Sequence, residues 1–276
     1  MRAGLLQLSV SDDPAVDLPE TRALIREAAA GGAGFVLTPE VTNCVSASRT
    51  RQEAVLQPEA EDITLAGLRA EAADLGIWLL IGSLGLKTGD ADGRFANRSF
   101  LIAPDGAIAA RYDKIHMFDV QVSETETYRE SAGYRPGARA VTAKTPFGTL
   151  GLSICYDVRF AALYRALAHA GAEILTVPAA FSPVTGAAHW ETLLRARAIE
   201  TGCYVLAPAQ TGTHRAAEGR QRQTHGHALA VAPWGEVLSD AGTDPGVTFV
   251  EIDRAEVARA RARVPALSHD RAFEGP

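Results

Sequence analysis

The chain has 276 residues, of which 47% are apolar and 22% charged, and a formal net charge of −6. That length fits one large α/β domain or two small ones, with ample apolar material for a core. The acidic balance argues against a nucleic-acid binder, which presents a basic face, but allows an anionic small substrate wherever Lys and Arg cluster locally.

In chain order, strands and helices alternate. Residues 3–10 read as a buried strand, 15–30 as an amphipathic helix closed by Gly31-Gly32, and Phe35–Leu37 as a short strand ending at Pro39-Glu40. A helix over 59–74 stops at Gly76, and a strand over 77–84 follows. Strands 99–103 and 107–112 make a hairpin about Pro104-Asp105-Gly106. Residues 114–139 carry no sustained period, and an irregular stretch that long inside a domain is usually functional. An apolar strand then runs into Cys155, where a polar turn and a new helix follow at once.

The order repeats. Residues 168–180 echo 29–40, residues 202–207 echo 76–81, and 228–238, centred on Pro233-Trp234-Gly235, echo the first hairpin. Two similar halves, each a sheet bearing helices, bury their strands most simply by stacking sheet on sheet. The expected fold class is α/β: a four-layer α-β-β-α sandwich with two pseudo-repeated halves, folded as a single domain over 1–276. A doubly wound single sheet is the alternative. The first residues are too short a run, and too soon acidic, for a signal peptide, and no stretch approaches the ~18 apolar residues of a membrane span. Cys44, Cys155 and Cys203 are odd in number and form no CxxC pair, which fits a reducing compartment. A cytoplasmic location, no membrane partner and no nucleic-acid partner are expected.

Glu40, Lys114 and Cys155 all stand at the ends of predicted strands. A thiol at the carboxyl end of a strand sits where open α/β sheets place ligands, and a helix dipole with nearby cations favours its thiolate. A thiol nucleophile needs a base. A carboxylate whose pKa is raised by desolvation can serve, and an ammonium can stabilise the oxyanion. The plain alternatives are a small buried hydrophobe at Cys155 and solvated charges at Glu40 and Lys114.

The segments Leu37-Thr38-Pro39-Glu40, Asp113-Lys114-Ile115-His116 and Gly151-Leu152-Ser153-Ile154-Cys155-Tyr156-Asp157 resemble the three signature blocks of the nitrilase superfamily of carbon–nitrogen hydrolases. The resemblance covers nearly the whole chain, including Gly171-Ala172-Glu173-Ile174-Leu175, Ala188-His189-Trp190-Glu191 and Pro233-Trp234-Gly235. It implies a Glu-Lys-Cys triad and a covalent thioester that releases ammonia or an amine before water hydrolyses it. Glu40 is then the general base, Cys155 the nucleophile and Lys114 an oxyanion donor, joined by the backbone N–H of Tyr156. A supporting glutamate after the lysine is best matched by Glu130; Glu124 and Glu126 are nearer in sequence but lack its context.

The stretch 181–190, the following RARAIE helix and residues 209–214 resemble the Nit-type amidases within that superfamily, which act on ω-amides of α-keto acids or on deaminated glutathione. The pattern is most similar to the latter. Hydrolysis of α-ketoglutaramate-type amides or of N-carbamoyl amino acids stands as the alternative activity, and a catalytically silent dimeric scaffold as the alternative of another class. Two departures bear on the substrate: His225-Gly226-His227-Ala228 stands where Tyr-Gly-His-Ser is typical, and Leu267-Ser268-His269-Asp270-Arg271 where the branch usually has His-Arg-Arg. A small amide carrying carboxylates calls for a planar cation, for which Arg159 is the candidate. Phe181 and Thr185 are candidates for the pocket wall by position alone. No cofactor is expected, and a homodimer or larger homo-oligomer is implied.

Three other patterns carry less. Ala30-Gly31-Gly32-Ala33-Gly34 follows a helix and precedes a strand, the reverse of a pyrophosphate cradle. His225 and His227 lack a third metal ligand at recognisable spacing, so no metal is expected. Cys44 reads as a loop thiol and Cys203 as core.

Overall fold

The computed structural model describes residues 1–122 and 126–275; Glu124 lies outside the described residues. Two sheets form the centre. In the first, Phe35–Leu37 lies parallel between Arg2–Leu8 and Trp78–Lys87, with Val36 opposite Gly4 on one side and Leu79 on the other. Phe95–Ile102 and Ile108–Asp113 extend it antiparallel. The second sheet runs Val237–Asp240, Leu229–Val231, Tyr204–Ala207, Ile174–Thr176, Gly148–Leu152, Val141–Thr145.

The alternation of side chains along each strand explains the layering. Leu5, Phe35, Leu37, Leu80 and Leu101 of the first sheet share one buried cluster with Leu150, Leu152, Ile174 and Val205 of the second. Their neighbours Leu6, Val36, Leu79, Ile81 and Phe100 face the other way, onto Ile25 and Ala28 of helix Pro14–Ala30 and Leu65, Leu68 and Ala72 of helix Ile63–Leu75. Helices Ala161–His169 and Pro183–Thr201 bring Tyr164, Leu167, Trp190 and Leu194 to the second sheet. Each such side chain contributes roughly 1.5–3 kcal/mol on burial. The result is the α-β-β-α sandwich that the repeated pattern predicts.

The halves are not closed units. Ala209–Thr213 pairs parallel with Arg2–Leu8, Gly246–Glu251 pairs antiparallel with the same strand, and Gln223–His225 completes that edge. Three strands of the second half therefore belong to the first sheet. Elsewhere the differences are local. The helix expected over 59–74 begins only at Ile63, because the Asp62 side chain accepts the Leu65 N–H as an N-cap, while Glu59 is drawn to Arg98 and Arg111. The irregular stretch 114–139 holds a small hairpin, Asp119–Gln121 with Thr127–Arg129, and the 3-10 turn Glu130–Ala132. Among the described residues no helix is long and apolar enough to cross a membrane.

Candidate active site

Glu40 and Cys155 leave different sheets and meet where the two rims come together. A Cβ on Gly82 would stand 2.1 Å from the Thr38 carbonyl oxygen and 2.5 Å from Pro178 Cβ, so only glycine lets the Glu40 turn and the Pro178 segment close on this strand. Pro178 in turn accepts the Cys155 backbone N–H at 2.9 Å. Cys155 itself has φ +49°, a left-handed conformation that costs a non-glycine residue of order 1–3 kcal/mol. The turn Cys155–Arg159 is 3-10 rather than the immediate α-helix expected. Tyr156 is its second residue, and the first N–H groups of a helical turn have no partner within it.

The sulfur, the carboxylate and the ammonium share one buried recess. Lys114 Nζ donates to Glu40 Oε1 at 2.8 Å and to both carboxylate oxygens of Glu130 at 2.9 Å. Glu40 Oε2 accepts the Ala180 N–H at 2.9 Å, and its Oε1 also accepts Asn97 Nδ2 at 2.9 Å. Glu130 is oriented further by the Phe118 N–H at 2.6 Å. Glu126, the nearer acid, instead accepts the Tyr128 hydroxyl.

Burial pushes the Glu40 carboxyl up, but the Lys114 charge and the hydrogen bonds from Lys114, the Cys155 thiol and Ala180 outweigh it and hold it below the ordinary value. Burial and then the Glu40 charge push the Cys155 thiol well above its ordinary range. Burial opposes the charge on Lys114, yet Glu130 and Glu40 together raise its pKa well above the ordinary value. Both sequence expectations about charge are thereby reversed: the thiol is protonated, because burial and the Glu40 charge oppose its ionisation, and the carboxylate is more acidic than usual, not less. The resting arrangement is neutral thiol, anionic Glu40 and cationic Lys114.

A cavity of about 900 Å³ opens over this recess. Phe118, Tyr128 and Tyr156 form an aromatic wall, with ring centroids 5.0 and 5.1 Å from Phe118. Five cationic side chains, Lys114, Arg49, Arg129, Arg220 and Arg222, face three described carboxylates across it, which reverses locally the sign of the whole chain.

Phe181 lines the cavity; Arg159 and Thr185 do not. The Arg159 guanidinium lies 5.8 Å from the Tyr156 ring centroid and 5.4 Å from that of Phe181, and reaches His189 Nδ1 at 3.3 Å. Thr185 donates its N–H to Ser182, which caps helix Pro183–Thr201. Asn97 and Arg222 escaped the sequence reading, and Asp157 entered it only as part of the Cys155 segment. Asn97 alone left a trace, as an amide inside an otherwise buried strand. Cys44 lines the cavity, and Cys203 is fully buried. His225 and His227 stack at 4.7 Å, with His227 Nδ1 3.0 Å from Asp240, and among the described residues no group of three potential metal ligands assembles.

The chain resembles known proteins over nearly its whole length. The chain is 40% identical over 269 residues to the "Deaminated glutathione amidase" of Synechocystis, covering 97% of both chains. It is 35% identical over 270 residues to the human "Omega-amidase NIT2", covering 98% of this chain and 95% of that protein. The crystal structure of the C. elegans NitFhit protein superposes with a TM-score of 0.89 at 34% identity, over 98% of this chain and 65% of that longer one. Residues 2–262 match the family described as Carbon-nitrogen hydrolase, and the chain belongs to it.

Proposed function

We propose that this protein is a thiol amidohydrolase that cleaves small carboxylated amides through an acyl-enzyme on Cys155. Deaminated glutathione is the first substrate expected, and α-ketoglutaramate-type ω-amides the second, in keeping with the names of the two relatives. The observation that carries the reading is the meeting of a protonated thiol with an anionic carboxylate beside a buried ammonium.

Cys155 Sγ attacks the amide carbonyl carbon while Glu40 takes the thiol proton. The developing oxyanion is met by Lys114 Nζ and the Tyr156 N–H, donors held in place before reaction. As the tetrahedral species collapses, the C–N bond breaks and Glu40 returns the proton to nitrogen, releasing ammonia or an amine. Water then attacks the thioester, Glu40 accepts its proton, the C–S bond breaks and the thiolate is reprotonated. Glu130 keeps the ammonium charged and fixed, and Arg159 props Tyr156 and Phe181. A lowered Glu40 pKa makes a modest base, which suits a thiol attack concerted with proton transfer.

The same reading takes residues 1–276 as one domain, supported by a single family match and by strands of both halves sharing the first sheet. A cytoplasmic homodimer also belongs to it; the three unpaired cysteines support the reducing compartment. Intact-mass measurement after mixing with deaminated glutathione tests the function. An acyl adduct is expected on the wild type and none on Cys155→Ala. No adduct and no product from any carboxylated amide would discard the proposal.

A further inference from the structure

The segment 214–222 reaches the cavity at its end, where Arg220, Gln221 and Arg222 line it, and its base is anchored by buried polar groups. His214, fully buried, lies 2.7 Å from the Val10 carbonyl through Nδ1 and 2.7 Å from the Thr224 hydroxyl through Nε2. Asp12, also buried, accepts the Ala217 N–H on both carboxylate oxygens, at 2.9 and 3.1 Å. Such anchors fix where the rest of the segment points. Arg222, at its end, lines the cavity. Its charge is felt by the Tyr134 phenol and the Cys44 thiol, which line the same cavity.

The other cations of the wall differ from it. Lys114 is taken up by Glu40 and Glu130. Arg49 donates to the carbonyls of Gly93 and Gly133 and lies over the Phe95 ring. Arg129 and Arg220 are exposed. Arg222 is half-buried, pairs with no carboxylate among the described residues, and holds a buried Nε–H without an acceptor. A buried donor left unsatisfied is costly, and a guanidinium fork meets a carboxylate with two parallel hydrogen bonds.

We infer that Arg222 is the specificity-determining cation of the cavity, receiving the carboxylate that the substrate carries away from its scissile amide. The inference rests on the amidohydrolase reading above and assigns the substrate's charged end to the anchored segment 214–222. Arg159, stacked on two aromatic rings outside the cavity lining, is left with a supporting role.

The test compares 5-amino-5-oxopentanoate with pentanamide, which share the scissile amide and differ in the terminal carboxylate. In Arg222→Gln the KM for the carboxylated amide is expected to rise 10- to 100-fold with kcat little moved, while the neutral amide shifts less than threefold; Arg222→Lys falls between. A direct measurement on the Cys155→Ala protein adds a readout independent of turnover: glutarate binding should weaken by a similar factor when Arg222→Gln is added. Equal shifts for both amides, or undiminished glutarate binding, overturn the inference. Wild-type enzyme that hydrolyses no carboxylated amide, deaminated glutathione included, yet binds glutarate through Arg222, would instead overturn the amidohydrolase reading and leave this assignment standing.

Discussion

The Asp157 carboxylate accepts the Tyr112 hydroxyl at 2.6 Å and so ties the Cys155 turn to the strand that leads into Lys114. Tyr112 stands two residues before Lys114 and Asp157 two after Cys155. The same carboxylate takes the His116 N–H at 3.0 Å, contacts His116 Nδ1 at 2.7 Å, and accepts the Ile154 N–H at 2.9 Å. One fully buried acid thus fixes the spacing of the sulfur and the ammonium without facing the cavity.

Asp157→Asn should therefore act on rate as well as on stability. The amide replaces one acceptor oxygen by a donor and leaves buried partners mismatched, at about 1–3 kcal/mol for each unsatisfied group. Loosening the reacting geometry is expected to lower kcat roughly 10- to 1,000-fold with KM nearly constant. A variant that is less stable to urea but retains wild-type kcat would reduce Asp157 to a structural residue.

Glu130→Gln removes one of the two carboxylates on Lys114. The ammonium then binds Glu40 alone, drawing more charge from the base, and loses the contacts that hold its position. The expected result is a fall in kcat on the order of 100-fold, of the size usual for general acid–base contributions. Single-turnover acylation should slow by the same factor. If acylation is untouched and only product release changes, Glu130 has no part in orienting Lys114.

The protonation states give a pH profile whose sign can be worked out. Glu40 titrates below its ordinary 4.5, so the base is ionised at all higher pH and kcat/KM falls only on the acid side of that value. Cys155 and Lys114 titrate well above 9.0 and 10.5, so neither limits the rate near neutrality. A flat plateau from about pH 5 to 9 is expected. A rate that climbs steadily between pH 7 and 9 would mean that preformed thiolate is the reactive species, and the general-base role of Glu40 would fall.

What could be read from the sequence divides along physical lines. Strands such as Phe35–Leu37 and Gly148–Leu152 and their abrupt ends at Glu40 and Cys155 are local features, visible in hydropathy and turn residues. The pairing of Gly246–Glu251 with Arg2–Leu8 joins residues some 240 positions apart and leaves no local trace. Helix Arg49–Val55 buries none of its side chains, so it carries no apolar stripe to find. The same holds in the site. Glu40, Lys114 and Cys155 stand at element ends, whereas Arg222 owes its place to Asp12 and His214, whose hydrogen bonds span about 200 residues. The direction of the Cys155 and Glu40 pKa shifts was equally hidden, since it depends on how deeply the thiol is buried beside Glu40 and on which groups hydrogen-bond the carboxylate.

His214 supplies a last prediction, about stability. The Val10 carbonyl can only accept, so Nδ1 carries the proton and Nε2 accepts from Thr224, which makes the buried imidazole neutral. Burial, with Arg222 nearby, lowers its pKa from 6.5 to about 4. Between those values the unfolded chain binds a proton that the native protein refuses. The contribution is complete above pH 6.5, is lost as pH falls toward 4, and amounts to roughly 3 kcal/mol over the interval. Urea unfolding of wild type and His214→Gln at pH 7.5, 5.5 and 4.5 measures it. The difference in stability between the two proteins should shrink as the pH falls, because the variant lacks this proton linkage while retaining that of the carboxylates. A difference that stays constant across the three pH values would show that His214 titrates alike in the folded and unfolded chains, and the anchoring hydrogen bonds of segment 214–222 would need another arrangement.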